Sequence, residues 1–418
     1  MSEYRRVKGT RDLLPPEAGV WAAVEETARR VFALYGYEEI RTPILEHTEL
    51  FVRSVGEATD IVGKEMYTFA DRKGRSLTLR PESTASVARA FVENGLQAWP
   101  LPVKLFYVGP QFRYERPQRG RYRQFHQIGA ESIGDAAPAA DADLLAMLAR
   151  FLRDLGFSGL EVRLNTVGDA ASRDRYRQAL VSFLEPRRDR LSEESRRRLA
   201  ANPLRILDSK DAGERELLAA APQLADHLSA AAAEHFTGVR ALLERLGVEY
   251  RVDPRLVRGL DYYTHTVFEI VSRQLGAQDA LVGGGRYDDL VGALGGPTMP
   301  GIGFAIGQDR LLEVLPEAFR ARVVRRPSVL VVPVGAVDPG EVLALCEELR
   351  AAGLAAEGEV GRSLRSALKR ADRQGVRHVV VLGETELARG AVQLKDLQQG
   401  TQGEVPRQAL AAALEEAR

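Results

Sequence analysis

Five arginines (Arg113, Arg116, Arg119, Arg121 and Arg123) crowd the stretch 106–131, FYVGPQFRYERPQRGRYRQFHQIGAE. An arginine-dense loop lies between an apolar, β-branched and aromatic run at 103–108 and a second run at 122–131, both of which read as strands. Alternation along a strand puts Phe125, Gln127, Gly129 and Glu131 on one face. Gly129 is then expected to leave a bare patch between an amide and a carboxylate, where a small polar molecule can lie against a sheet. The neighbouring arginines can neutralise phosphates with a forked geometry that lysine lacks. An ordinary hairpin with a solvated basic tip and an incidental buried Glu fits the same pattern.

Four further clusters carry chemistry. In Arg80-Pro81-Glu82-Ser83-Thr84-Ala85, Glu82 and Thr84 are two apart and face the same way in an extended stretch, a pairing suited to an ammonium group. The competing reading is a helix cap, with Ser83 or Thr84 capping a helix over 85–93. In the stretch 255–264, Arg258 is a fixed cation and Tyr263 a phenol that can donate or accept. Gly283-Gly284-Gly285-Arg286-Tyr287-Asp288 reads as a glycine turn presenting a Tyr and an Arg. A strand over 301–306 leads into Gly307-Gln308-Asp309-Arg310, with Arg310 in the first turn of a helix, where free N–H groups favour anions. No GxGxxG or GxxxxGK[ST] occurs, and Gly63-Lys64 is followed by Glu65, so dinucleotide-fold and P-loop readings fail.

The elements that must carry these groups follow from periodicity. Val20, Val24, Ala28, Val31 and Tyr35 form one stripe of a helix over 17–35, ended by Gly36. The segment 38–44, with Pro43, reads as a strand or sheet edge. Runs 66–69 and 76–80 can pair across the turn 71–74. A helix over 142–155 and a strand over 161–165 follow. From 171 to 247 helix formers and charges dominate and strand signals vanish, so this reads as a helical insertion. Its arginines (Arg187, Arg188, Arg190, Arg196, Arg197, Arg198) form a solvated face or meet RNA backbone. Strands return at 248–252 and 264–270. A charged connector, 320–326, runs into Pro327 as a domain boundary. Beyond it strand and helix alternate, giving a compact α/β module with a mixed sheet and a basic second helix at 364–374.

The 418 residues suffice for two or three domains. With 58 basic and 58 acidic residues, a nucleic-acid partner must meet local patches. The single cysteine, Cys346, rules out an intrachain disulfide framework and sits in an apolar helical context, so it reads as a buried structural thiol. The N-terminus has no apolar core of a signal peptide, and no window approaches the ~18 apolar residues of a membrane span. A cytoplasmic protein without a membrane partner is the expectation.

Phe112-Arg113-x-Glu115 resembles motif 2 of the class II aminoacyl-tRNA synthetases. The helix 17–35 with its Pro-bearing strand resembles their motif 1, and Gly303–Arg310, GFAIG-x-x-R, their motif 3. With RPE-x-TA at 80–85, the GRYRQFHQ stretch, VRGLDYYT at 257–264 and GGGRYD at 283–288, nearly the whole chain resembles the histidyl-tRNA synthetases. The resemblance implies an α+β fold: an antiparallel sheet flanked by helices in a catalytic domain over 1–320, with the insertion at about 171–247 and an anticodon-binding-type domain over 327–418. It implies that Glu82, Thr84 and Gln127 bind the amino and carboxylate groups of L-histidine. Glu131 and Tyr263 would bracket the imidazole, and Tyr262 and Tyr287 would complete the pocket. Arg113 and Arg258 would be catalytic, at the α-phosphate and where carboxylate meets phosphorus. Arg113, Glu115, Arg121 and Arg310 would bind ATP, which brings Mg2+, with no metal ligand assigned among the side chains. Arg116, Gln118, Arg119 and Arg123 would contact the acceptor end of tRNA(His). A homodimer is implied through motif 1. Ser83 stands where the family commonly has Gly and is expected to crowd the amino-group site; Thr298-Met299 is also less usual. Two rivals share the fold: a regulatory subunit of ATP phosphoribosyltransferase, and a class II synthetase for glycine, threonine or proline. Arg258, Tyr263, Arg113 and Arg310 argue against the first, and the pairing of Glu131 with Tyr263 against the second.

Overall fold

The computed structural model describes residues 4–56, 59–118, 120–201, 203–209, 211–272, 280–323 and 329–416. Arg119 and Pro327 lie outside the described residues. The chain forms two compact units, Met1–Ala321 and Arg322–Arg418.

The first unit is built on an eight-stranded sheet. Its six main strands are β1 (Val103–Phe112), β2 (Gln124–Ile133), β3 (Glu161–Thr166), β4 (Thr264–Val271), β5 (Ala280–Arg286) and β6 (Gly301–Gly307). They run in the order β1-β2-β6-β5-β4-β3 with every neighbour antiparallel. Two-residue strands at Glu38–Glu39 and Arg251–Val252 add parallel to the two edges; the runs 38–44 and 248–252 thus supply far less strand than their composition predicts. Gly283, Gly284 and Gly285 lie inside β5, paired on both sides, and not in a turn.

Register decides what each face offers. Tyr107 pairs with Gly129, Leu105 with Glu131, Glu131 with Gly303, and Gly303 with Gly285. Directly paired residues share a face. One face therefore carries Phe106, Ile128, Phe304 and Phe268. Helices α1 (Glu17–Ala33) and α3 (Pro138–Asp154) cover it, and the Phe32 ring lies 5.6, 5.5 and 5.8 Å from those of Phe106, Phe151 and Phe304. The other face carries Tyr107, Gln127, Glu131, Glu269 and a run of small residues: Gly129, Gly303, Ala305, Gly307, Gly283 and Gly285. At its β1 end, helix α2 (Thr84–Glu93) packs Val87 and Phe91 with Leu105, Tyr107 and Tyr287. A small sheet of Leu45–His47, Ser76–Leu79 and Tyr67–Ala70 stands beside it, the last two strands pairing across the turn at 71–74.

After β3 comes the helical stretch. Helix α4 (Ala170–Leu184) and shorter helices enclose their own core of Tyr176, Leu180, Leu184, Leu199, Ile206 and Leu217. The last helix of the stretch, α5 (Ala230–Arg245), instead meets α3, where His235 Nε2 lies 2.9 Å from Asp141 Oδ2. Helix α6 (Gln308–Glu313) follows β6.

The second unit holds a five-stranded sheet, ordered Ala356–Gly358, Val329–Val334, His378–Gly383, Ala391–Asp396 and Thr401–Pro406. The first three strands are parallel and the last two antiparallel. Val329, Val331, Leu345, Cys346 and Leu382 fill one side, and Leu330, Val332, Ala367 and Ala371 the other. Cys346 is fully buried in this core, as its context predicts. The edge strand Thr401–Pro406 has no counterpart in the sequence reading. Arg370 of the basic helix Leu364–Gln374 is paired with Glu357 and Glu359 at 3.0 and 2.5 Å.

Candidate active site

The small residues of β5 and β6 make a floor without side chains. Above it lies a cavity of about 310 Å³. Glu82, Thr84, Arg113, Glu115, Arg121, Gln127, Arg258, Tyr262, Tyr263, Tyr287 and Arg310 all line it. These eleven come from segments spread over more than two hundred residues of chain, brought together by the register described above.

At one end stand the groups suited to a small zwitterion. Glu82 caps α2: its two oxygens accept from the N–H groups of Thr84 and Ala85 at 2.7 and 2.9 Å. This corrects the expectation that Ser83 or Thr84 caps the helix. Thr84 is instead the first helical residue, and its hydroxyl donates to Glu131 Oε1 at 2.7 Å. Ser83 does not crowd the site either, because its Oγ accepts from Gln111 Nε2 at 2.6 Å and both side chains are fully buried. Gln127 is nearly buried, and its Oε1 lacks a hydrogen-bond partner within the protein, which a bound donor would supply. Arg258 pairs with Glu269 and lies over Gly283, where a Cβ would come 1.9 Å from its Nη2. The rings of Tyr262 and Tyr263 meet at a tilt of 51°, 4.7 Å between centres.

Glu131 is not on the cavity wall. It lies one layer behind, 1 % exposed, with Oε1 held by Thr84 and Oε2 accepting from the Tyr287 hydroxyl at 2.7 Å. Burial pushes its carboxyl up to about 8 against the hydroxyl hydrogen bonds. Its Oε2 sits over the floor, 1.6 Å from where a Cβ on Gly303 would be. The bare patch expected at Gly129 is filled: a Cβ there would lie 2.3 Å from the Tyr107 ring, whose hydroxyl is 3.5 Å from Glu131. The floor of the cavity lies instead on β5 and β6, at Gly283, Gly303 and Ala305, with Arg258 over the first and Glu131 over the second.

The other end is cationic. Arg113 donates from Nε to the Pro81 carbonyl at 2.9 Å and lies 5.3 Å over Phe125. Arg121 pairs with Glu115 at 2.8 Å. Arg310 rises from the first turn of α6. Its neighbour Asp309 ties α6 to β2 by accepting from the His126 N–H at 2.8 Å, and Arg11 braces it at 2.9 Å. Arg116, Gln118 and Arg123 stay outside the lining, in the connection between β1 and β2. Arg116 and Gln118 are exposed, while Arg123 stacks on Tyr114 at 3.9 Å. Among the described residues, no group of three or more His, Cys, Asp or Glu could hold a metal ion.

Sequence reasoning missed Tyr107, Glu269, Arg11 and Asp309. Glu269 was visible as the one charge in the apolar run of β4, VFEIV. Arg11 carried no signal, since its partner lies 298 residues away.

Comparison with known proteins agrees over both units. A family model described as histidyl-tRNA synthetase matches residues 9–311, and one described as anticodon binding domain matches residues 328–417. A histidine–tRNA ligase of Synechococcus elongatus is 49% identical over 96% of this chain and 92% of its own length. One of Oleidesulfovibrio alaskensis is 50% identical over 96% of this chain and 97% of its own length. Among solved structures, apo S. aureus histidyl-tRNA synthetase superposes with a TM-score of 0.83 at 37% identity, covering 99% of this chain and 100% of that one. On the fold, the site and these similarities, the chain belongs to the histidyl-tRNA synthetase family of aminoacyl-tRNA synthetases.

Proposed function

We propose that this protein activates L-histidine with ATP and transfers the histidyl group to the 3′ end of tRNA(His). One observation carries the reading. A zwitterion-binding end (Glu82, Gln127, Tyr263) and a polyanion-binding end (Arg113, Arg121, Arg310) share one cavity over a glycine floor. Glu82 and Gln127 accept from the α-ammonium group, with Thr84 beside them. Tyr262 and Tyr287 close the pocket around the ring. Glu131 and Tyr263 take the two imidazole nitrogens, one as acceptor and one as donor. Such a pair, matched to a ring with one donor and one acceptor, rejects apolar isosteres by ~10⁴ or more. From its layer behind the wall Glu131 reaches the ring over Gly303, where its Oε2 lies, with the Thr84 and Tyr287 hydroxyls as its other partners.

Arg113 and Arg121 hold the α-phosphate side of ATP with Glu115, and Arg310 the γ-phosphate. Arg258 acts where the histidine carboxylate meets the α-phosphate. There a histidine carboxylate oxygen attacks the α-phosphorus, the bond to the bridging oxygen breaks, and pyrophosphate leaves. No protein nucleophile is needed, so acceleration comes from alignment and charge neutralisation, where one well-placed donor contributes about 3–4 kcal/mol. Mg2+ would accompany ATP as its counterion, since that ion binds mainly through substrate phosphates and few side chains. The acyl group then moves to the terminal ribose of the tRNA. Arg116, Gln118, Arg119 and Arg123 meet the acceptor end, and the anticodon-binding unit a second part of the tRNA.

Exposed apolar side chains on the small sheet (Leu45, Phe69) and before β1 (Trp99, Leu101) support a face covered in a homodimer. No helix among the described residues is long and apolar enough to cross a membrane; with the single cysteine, this supports work in the cytoplasm without a membrane partner. The regulatory-subunit alternative is disfavoured by the presence of Arg113, Arg258, Tyr263 and Arg310 together with the anticodon-binding unit. Charging of tRNA(His) with labelled amino acids tests the proposal. Histidine alone is expected to be esterified, and failure to charge it contradicts the reading.

A further inference from the structure

The chain that carries Tyr263 is fastened to the neck of the helical insertion, and nothing in the reaction described above uses that fastening. Helix α4 begins at the neck. Asp169 caps it by accepting from Ser172 N–H at 2.8 Å, and also accepts from the Ser229 hydroxyl at 2.5 Å. Ser229 in turn caps α5, so the two chain crossings of the insertion share one hydrogen-bonded knot. His265 is locked onto this knot: its N–H donates to Gly168 O at 2.9 Å and its carbonyl accepts from Val167 N–H at 2.7 Å. It does so with φ 45°, a left-handed conformation that costs a residue with a Cβ about 1 kcal/mol or more. Two residues earlier the Tyr263 carbonyl accepts from Arg173 Nη1 of α4 at 2.5 Å, while Arg173 Nη2 lies 3.6 Å from Asp289.

We propose that Arg173 is a positioning residue: from the insertion it fixes the backbone of Tyr263, and so sets where the phenol meets the imidazole of histidine. A guanidinium on a main-chain carbonyl is one of the stronger single hydrogen bonds. A shift of about 1 Å in a positioned group can cost about 100-fold in rate. The insertion and the histidine end of the cavity are thereby coupled, while the arginines of the ATP end sit in the connection between β1 and β2 and on α6 and are not reached by this contact.

This inference rests on the histidine-activating reading and predicts an asymmetric effect. In histidine-dependent pyrophosphate exchange, Arg173→Ala is expected to raise the KM for histidine about 10-fold, with the KM for ATP within about 2-fold of wild type. Arg173→Lys, which keeps a donor, is expected to recover most of the loss. Asp289→Asn, at a side chain 67% exposed, loosens the same arginine and is expected to raise the histidine KM about 3-fold. Should Arg173→Ala fail to fold, Asp289→Asn decides. An unchanged histidine KM, or equal changes in both KM values, overturns the role of Arg173. A wild-type chain without histidine-dependent exchange defeats the underlying reading instead.

Discussion

Replacing Glu131 by Gln separates the electrostatic claim about the pocket from its shape. The side chain is 1 % exposed and keeps its hydroxyl neighbours in the variant, so packing changes little. The folded carboxyl holds its proton up to about 8, whereas the unfolded one releases it near 4.5. Between those values the folded state binds one more proton than the unfolded state. Stability due to this group therefore falls as pH rises, at about 1.4 kcal/mol per pH unit, and levels off above pH 8. Over the 3.5 units between 4.5 and 8 the loss is about 5 kcal/mol. The amide of the variant does not titrate and escapes it. Both tryptophans, Trp21 and Trp99, lie in the Met1–Ala321 unit, so their fluorescence follows urea unfolding of the unit that holds Glu131. Glu131→Gln is expected to gain on wild type steadily from pH 5 to pH 8. Parallel stability curves over that range would refute the reasoning, because they would mean Glu131 is ionised throughout.

A Cβ on Gly303 would come 1.6 Å from Glu131 Oε2 and 2.7 Å from the Ala130 carbonyl. Gly303→Ala is therefore expected to displace Glu131 and lower histidine-dependent exchange more than 100-fold, the scale of a misplaced pocket group, with a folding loss of about 1–3 kcal/mol. Unaltered exchange would show that the floor need not be bare. In the second unit, Leu345 is 1 % exposed within the core. Leu345→Ala should cost that unit about 2–5 kcal/mol in denaturation followed by circular dichroism, with tRNA charging impaired and pyrophosphate exchange intact; loss of exchange would contradict the division of labour.

Eleven of the residues that line the cavity were legible because each sits in a short local pattern, such as the arginine-dense hairpin or VRGLDYYT. What could not be read is what one strand does to its neighbour. Gly129 looks like a bare patch within β2, yet the ring of Tyr107 from β1 covers it, and only the pairing of the two strands reveals that. Glu131 shares a face with Gln127, but α2 and Tyr287 place hydroxyls in front of it. Three consecutive glycines suggest a turn by local chemistry. In β5 they are extended because other groups occupy the space of their side chains: a Cβ would meet Arg258 at 1.9 Å, Phe268 at 2.4 Å and Tyr263 at 2.8 Å at positions 283, 284 and 285. The strand Thr401–Pro406 escaped notice for the opposite reason. As an exposed edge it has no apolar alternation to show, and it ends in a Pro that an edge tolerates.

The most direct test of the shared cavity is ATP–pyrophosphate exchange measured with each of the twenty amino acids in turn, at saturating ATP. Exchange above background with histidine and with no other is the predicted result. Equal exchange with a second amino acid that lacks a ring donor and acceptor, or none with histidine, would contradict it.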